Sequence, residues 1–191
     1  MTRIVAGTAG GRVLQVPRTG TRPTSERVRE ALFSRLEHAG AVDGARVLDL
    51  FAGSGALGLE AASRGARAVV LVEAARPAAE LCRRNARELG LRDVTEVATA
   101  KVQTYLASTP TERADLVLID PPYELPDADV AGILAALADR WLAPGATLVL
   151  ERSRRSAEPA WPAPLEGEAS KRYGDTTLWF ASTPSGDGQL P

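Results

Sequence analysis

The sequence predicts an α/β fold: a mostly parallel seven-stranded sheet with helices on both faces, preceded by a small β-hairpin and a helix. Three features predict it. From residue 45 onward, short apolar runs alternate with stretches of helical periodicity. This is the pattern of strands covered on both sides by crossover helices. The first run leads into a glycine-rich turn, Gly53-x-Gly55-x-x-Gly58, that opens a helix. The last two runs, 169–173 and 176–181, are split only by Gly174-Asp175, which reads as a closing antiparallel hairpin.

The elements follow in chain order. Residues 3–6 and 12–16 are apolar runs around Gly7–Gly11, a hairpin with a five-residue loop. Residues 17–23 form a loop, and Thr24 or Ser25 caps a helix that runs to about residue 38 with Glu26 in its first turn. On that helix Val28, Leu32 and Leu36 share a face and are expected to pack inward. Gly40 and Gly44 close this N-terminal unit. Strands are expected at 46–50, 68–73, 93–98, 115–120 and 146–151, and helices at 56–64, 76–89 and 127–140. Ala79, Cys82, Ala86 and Leu89 make one helical stripe, so Cys82 reads as a core residue. Residues 152–167 read as a Pro-rich connection. The chain therefore divides into an Arg-rich extension (1–44), a sheet domain (45–182) and a Gly/Pro/Ser-rich tail (183–191) expected to be disordered.

Composition narrows the chemistry. The 191 residues are 45% hydrophobic and 25% charged, ordinary for a globular domain with a real core. No apolar run approaches the roughly 18–20 residues of a membrane span. The start, Met1-Thr2-Arg3-Ile4-Val5, lacks signal-peptide architecture. One cysteine and one histidine argue against a disulfide, a zinc site or a His-based triad, and for a reducing, cytoplasmic setting. No metal site is expected. The net charge of -1 hides an asymmetry: residues 1–35 carry seven arginines and two glutamates. A basic segment on a slightly acidic body favours an anionic partner such as nucleic acid.

The glycine turn alone would also suit a nicotinamide enzyme. Its surroundings favour another cofactor. Asp49 lies four residues before Gly53, with Phe51-Ala52 between. A carboxylate there would repel a pyrophosphate but would welcome the ammonium or the sulfonium of S-adenosylmethionine. Glu73 ends the second strand and can accept both hydroxyls of a ribose. The expected cofactor-binding set is Asp49, Phe51, Ala52, Gly53, Ser54, Gly55, Glu73 and Ala74.

Asp120-Pro121-Pro122-Tyr123 follows an apolar strand, whose carboxyl end should lie beside the cofactor crevice. Two prolines fix the backbone and offer no N–H. The Asp120 carboxylate and the Pro121 carbonyl can then both accept from one amino group. An amine attached to a base is a poor nucleophile because its lone pair is delocalised into the ring. Two acceptors orient its N–H bonds and aim the lone pair at a methyl carbon. Tyr123 can stack on the base. The reading is methyl transfer to an exocyclic amine, with Asp120, Pro121, Pro122 and Tyr123 as the catalytic set. A cysteine-dependent attack on a pyrimidine ring is disfavoured, because Cys82 lies on another helix. DNA adenine-N6 methylation and protein-glutamine methylation pose the same chemical problem. The small room beyond the core argues against the first and the basic N-terminal segment against the second. A non-catalytic RNA-binding module would not need Asp49, Glu73 and Asp120 together.

Three further segments carry a family resemblance over nearly the whole chain, from Arg3 to about Phe180. They are Arg3-Ile4-Val5-Ala6-Gly7 with Gly11-Arg12, then Arg22-Pro23-Thr24-Ser25-Glu26-Arg27-Val28-Arg29-Glu30-Ala31-Leu32-Phe33, and Tyr173-Gly174-Asp175-Thr176. With the two motifs they resemble the RsmD family of bacterial small-subunit ribosomal RNA guanine-N2 methyltransferases. The resemblance implies a class I methyltransferase (Rossmann-like) fold and S-adenosylmethionine as cofactor. It also implies N2 methylation of guanine 966 in 16S ribosomal RNA, within the small subunit or its assembly intermediate, by a monomer. The N-terminal hairpin and helix are implied to hold the RNA through Arg3, Arg12, Arg22, Thr24, Arg27 and Arg29. One departure stands out. Many class I enzymes carry an acidic residue after the third strand for the adenine amine, and here the stretch is Ala98-Thr99-Ala100-Lys101-Val102.

Overall fold

The computed structural model describes residues 2–17 and 25–186. Seven strands form one sheet: β3 (Arg46–Leu50), β4 (Ala68–Glu73), β5 (Thr95–Thr99), β6 (Ala114–Ile119), β7 (Leu142–Ser153), β8 (Glu166–Tyr173) and β9 (Thr176–Ser182). Their order across the sheet is β5-β4-β3-β6-β7-β9-β8. The first five in this order are parallel, β9 runs antiparallel to β7, and β8 pairs antiparallel with β9 as an edge strand. Strand order reverses between β3 and β6, so the crevice beyond their carboxyl ends is the natural ligand site.

Both faces are covered. On one lie α1 (Glu26–His38), α2 (Ala56–Ser63) and α3 (Arg76–Leu89). They pack on Val47, Leu71, Leu118 and Val149. On the other lie α4 (Val102–Leu106), α5 (Asp127–Ala136) and a π turn at Leu137–Trp141. These pack on Leu48, Val72, Ile119 and Leu150. The strands alternate between two separate cores, which is why they read as unbroken apolar runs. The stripe on α3 is buried as expected, Cys82 included, and Gly90 ends that helix in the left-handed conformation.

Several boundaries differ from expectation. The third strand begins two residues late, because Arg92–Val94 close a 3₁₀ turn first. Helix α4 was not foreseen; five residues are too few to show a period. The strand expected at 146–151 extends from 142 to 153, so Arg152 and Ser153 belong to the sheet and not to the connection. Residue 183 is not where order ends. Thr183 is buried, its hydroxyl accepts from Ala146 N–H and donates to the Ala143 carbonyl. Residues 187–191 lie outside the described residues.

The N-terminal hairpin is shorter than its apolar runs. Strands β1 (Thr2–Arg3) and β2 (Val13–Leu14) pair only as Thr2↔Leu14 and Arg3↔Val13. The reason is competition for backbone N–H groups. Val5 and Ala6 donate theirs to the two carboxylate oxygens of Glu60 on α2, at 2.8 and 3.0 Å. Thr8 and Ala9 donate to the carbonyl and hydroxyl oxygens of Ser63. Ile4, Ala9 and Leu14 join the core of α1–α3.

Helix α1 starts where expected, with the Ser25 hydroxyl accepting from Val28 N–H. Its inward face is rotated. Arg29, Leu32, Phe33 and Leu36 are buried, a stripe at helical spacing, and Val28 is only half-buried. Arg29 is fully enclosed. Its guanidinium donates to the Arg3 carbonyl and lies 4.0 Å from Glu60. Burial pushes it below its ordinary value, with Glu60 opposing. The expectation that Arg29 touches phosphate is therefore corrected: it braces the hairpin from inside. Arg64 completes the cluster, donating to Glu60 and to Glu37 at 2.8 Å each.

Glu60 thus carries two backbone N–H groups and two arginines without exposure. Removing it strands buried charge, and Glu60→Ala should cost about 3–5 kcal/mol of unfolding free energy. Chemical denaturation measures this. A loss below about 1 kcal/mol, the worth of an exposed pair, would show that the hairpin is held by its apolar residues instead.

Candidate active site

The site grows from the end of β3. Asp49 points to the α2 side of the sheet and is 1% exposed. Its Oδ2 accepts from Gly58 N–H at 2.8 Å. A Cβ at position 58 would come 2.2 Å from Leu71 and 3.0 Å from this carboxylate. The third glycine therefore lets the first turn of α2 close onto the strand. Burial raises the Asp49 carboxyl to about 7, the Gly58 N–H opposes this, and Glu73 adds to it.

Between Asp49 and α2 the chain makes a tight turn. Phe51 adopts φ 65° and Gly53 φ 59°. A left-handed phenylalanine is costly and marks a backbone constrained by its neighbours. Ala52 N–H reaches the Val72 carbonyl at 3.0 Å. Glu73, half-buried at the end of β4, accepts from Gly53 N–H at 2.9 Å and from Ala75 N–H at 2.7 Å. Each oxygen keeps a further acceptor position, so Glu73 fixes the turn and can still receive hydroxyl groups. Behind the turn, the Cys82 thiol donates to the Gly53 carbonyl at 3.2 Å. Burial, then Asp49 and Glu73, push that thiol up to about 12, which suits a support and not a nucleophile.

The Asp120–Tyr123 loop leaves β6 beside this turn. Asp120 N–H bonds to the Leu50 carbonyl at 3.3 Å. Pro121 is buried, Pro122 exposed, and Tyr123 is 58% exposed. The Tyr123 hydroxyl lies 3.3 Å from Thr176 Oγ1 on β9. Arg152 of β7 secures the far end of the loop, donating to the Leu125 carbonyl at 3.1 Å and to Asp127 at 2.7 Å.

One cavity of about 540 Å³ joins the two halves. Asp49, Phe51, Ala52, Gly53, Ser54, Glu73 and Ala74 line it, and so do Asp120, Pro121, Pro122 and Tyr123. Gly55 is the exception. It caps α2 with φ 82°, and a Cβ there would press on Leu59 and Leu71 at 3.0–3.1 Å, so its part is packing. Lining residues that sequence reasoning missed include Val16 and Pro17 after β2, Ala56 and Leu57 on α2, Val72 on β4, Lys101 to Gln103 after β5, Glu124-Leu125, and Glu151 on β7. Register alone could have found Glu151, which follows the residue paired with Ile119.

The basic residues expected on RNA separate into groups. Arg3 and Arg27 are exposed. Arg12 donates through its guanidinium to the Leu89 carbonyl at 2.7 Å and to the Glu88 carbonyl. It therefore caps the end of α3, where a cation is favoured, and the residue stays exposed to solvent. Arg29 is buried, as above. Arg22 and Thr24 lie outside the described residues.

Comparison with known proteins agrees with this architecture. The family described as "Conserved hypothetical protein 95" matches residues 2–182. The ribosomal RNA small subunit methyltransferase D of Escherichia coli K12 is 37% identical over 167 residues, covering 84% of this chain and 79% of that protein. The solved structure described as "Putative methyltransferase yhhF from Escherichia coli" superimposes with a TM-score of 0.85 at 32% identity, over 96% of this chain and 98% of that one. The structure of a hypothetical protein from Thermus thermophilus superimposes with a TM-score of 0.82 at 34% identity, over 94% and 98%.

The raised Asp49 carboxyl has a measurable consequence. Folding without cofactor favours its neutral form, so the stabilisation is complete below about pH 4 and is lost as pH rises through about 7. Asp49→Asn has no such loss. The melting temperature of the variant should gain on that of the wild type between about pH 4 and 7. Parallel melting curves over that range would mean that Asp49 ionises as an ordinary carboxylate.

Proposed function

The chain belongs to the RsmD family of ribosomal RNA small subunit methyltransferases, and from that premise we propose that it methylates the exocyclic N2 amine of guanine 966 in 16S ribosomal RNA. The observation that carries this reading is the single cavity shared by the glycine turn, Glu73 and the Asp120–Tyr123 loop. Its volume suits a cofactor plus one base. S-adenosylmethionine fits the residues present: a buried carboxylate for its cationic methionine end, Glu73 for ribose hydroxyls, and turn backbone between them. When bound, it supplies an electrophilic methyl on a sulfonium.

The chain's own groups do the rest. Tyr123 stacks on the extruded base. Asp120 and the Pro121 carbonyl accept the two N2 hydrogens, turning the nitrogen lone pair toward the methyl carbon. Bound S-adenosylmethionine would give up that methyl as the N–C bond forms, with the electron pair of the S–C bond left on its sulfur. Positive charge appears on nitrogen, where the Asp120 carboxylate stabilises it and takes the departing proton. Adenine contacts fall to Val102, Gln103 and neighbouring backbone, since no acidic side chain follows β5. Arg3, Arg12, Arg22 and Arg27 are the phosphate contacts of this reading, with Thr24 beside them and the small subunit or its assembly intermediate as substrate. The protein acts in the cytoplasm as a monomer. Among the described residues no helix is long and apolar enough to cross a membrane.

Two experiments test this. Single-turnover methyl transfer on small subunits should fall by about 10²-fold or more in Asp120→Asn, with little change in cofactor affinity, because the interaction strengthens as charge develops. Tyr123→Phe should be mild and Tyr123→Ala severe, a base stack being worth about 1–3 kcal/mol. A near-normal rate in Asp120→Asn would send the search for the acceptor elsewhere. In the second, Arg22→Ala with Arg27→Ala should weaken RNA binding and shallow its dependence on log salt by roughly 0.7–0.9 per lost contact. An unchanged slope would remove both from the docking surface.

A further inference from the structure

We infer that Glu151 reads the N1–H of the target guanine and thereby selects guanine over every other base that bears an exocyclic amine. The inference rests on the guanine-N2 reading and adds a specificity-determining residue to it. Parallel strands β6 and β7 pair with Ile119 opposite Leu150. Glu151 is the next residue on β7, Asp120 the next after β6, and neighbouring strands lie about 4.8 Å apart. Leu148 and Leu150 pack into the α4–α5 core, so Glu151 projects to the opposite face. Its antiparallel partner Leu178 packs into the α1–α3 core on that face. Glu151 is half-buried and lines the same cavity as Asp120, Pro121 and Tyr123.

Base chemistry gives that placement its meaning. Beside its N4 amine cytosine carries N3, a lone pair, and beside its N6 amine adenine carries N1, also a lone pair. Guanine alone has an N–H next to its amine. Two carboxylates on adjacent strands, Asp120 just past the end of β6 and Glu151 beside it on β7, form an acceptor–acceptor edge, which matches the donor–donor edge of guanine. Against adenine or cytosine one of them would face a lone pair across a half-buried contact, an unpaired arrangement that is costly. Asp120 serves the amine, a group that adenine, cytosine and guanine all carry. Glu151 distinguishes which amine it is.

The test substitutes 2-aminopurine for the target guanine in reconstituted small subunits. That base keeps the N2 amine but presents a lone pair at N1. Wild type should methylate it about 10²-fold or more slowly than guanine, as sites built to bond an N–H reject analogues lacking it. Glu151→Gln can offer either its oxygen or its NH₂. Its guanine rate should fall by about 10-fold, its 2-aminopurine rate should rise, and the preference should collapse. Glu151→Ala should lose the preference with no gain on 2-aminopurine. Calorimetric affinity for S-adenosylmethionine and the melting temperature, unchanged in Glu151→Gln, separate base reading from a folding defect. Should that variant melt early, Glu151→Asp, which keeps the acceptor, should retain the preference for guanine. N2-methylguanosine formation with the same guanine to 2-aminopurine ratio in wild type and Glu151→Gln overturns the inference alone. No N2-methylguanosine from wild type overturns the guanine-N2 reading and the inference with it.

Discussion

Helix α2 lies so close to the sheet that a single methyl group at Gly58 would collide with Leu71. Both halves of the molecule depend on that seating. On its inner side the first turn of α2 reaches Asp49 and sets the curve of the glycine turn. On its outer side Glu60 and Ser63 gather the backbone N–H groups of the N-terminal hairpin. A helix held further away would leave Asp49 without its N–H partner and the hairpin without its anchor. The glycine turn and the N-terminal extension meet on two sides of one short helix, which is why the extension shares a core with the sheet.

The carboxyl ends of the central strands concentrate acid. Asp49, Glu73, Asp120 and Glu151 all line one cavity. In a protein of small net charge that is a local choice. A cationic ligand relieves the repulsion, and Asp49, which burial holds near neutrality without it, ionises most readily beside a positive charge. Each carboxylate is also set by backbone or register: Asp49 by Gly58, Glu73 by Gly53 and Ala75, Asp120 by Leu50, Glu151 by its strand partner.

Much of this was legible in the sequence, for definable reasons. Central strands and long helices have periods that a run of residues displays, so β3, β4, α2 and α3 were placed to within a residue. The two motifs were legible because their chemistry needs contiguous residues. What escaped depends on contacts distant in sequence. Arg29 sits at helical spacing from Leu32, Phe33 and Leu36, but a charge is read as solvent-facing unless its partner is known, and Glu60 lies on a different helix, beyond the first strand of the sheet. The part Arg12 plays as a cap shows only where α3 ends beside it. Helix α4 is too short for periodicity, and Glu151 joins the site only through strand pairing.

The outermost strand has a consequence of its own. An edge strand offers a row of unpaired backbone groups to any other strand that meets it. Here β8 places Glu166, Glu168, Lys171 and Arg172, all exposed, along that border. Any strand that joined β8 would strip these four charges of part of their water, a cost laid on every continuation of the sheet. The seven strands are paired among themselves, and the border they leave open is lined with charge.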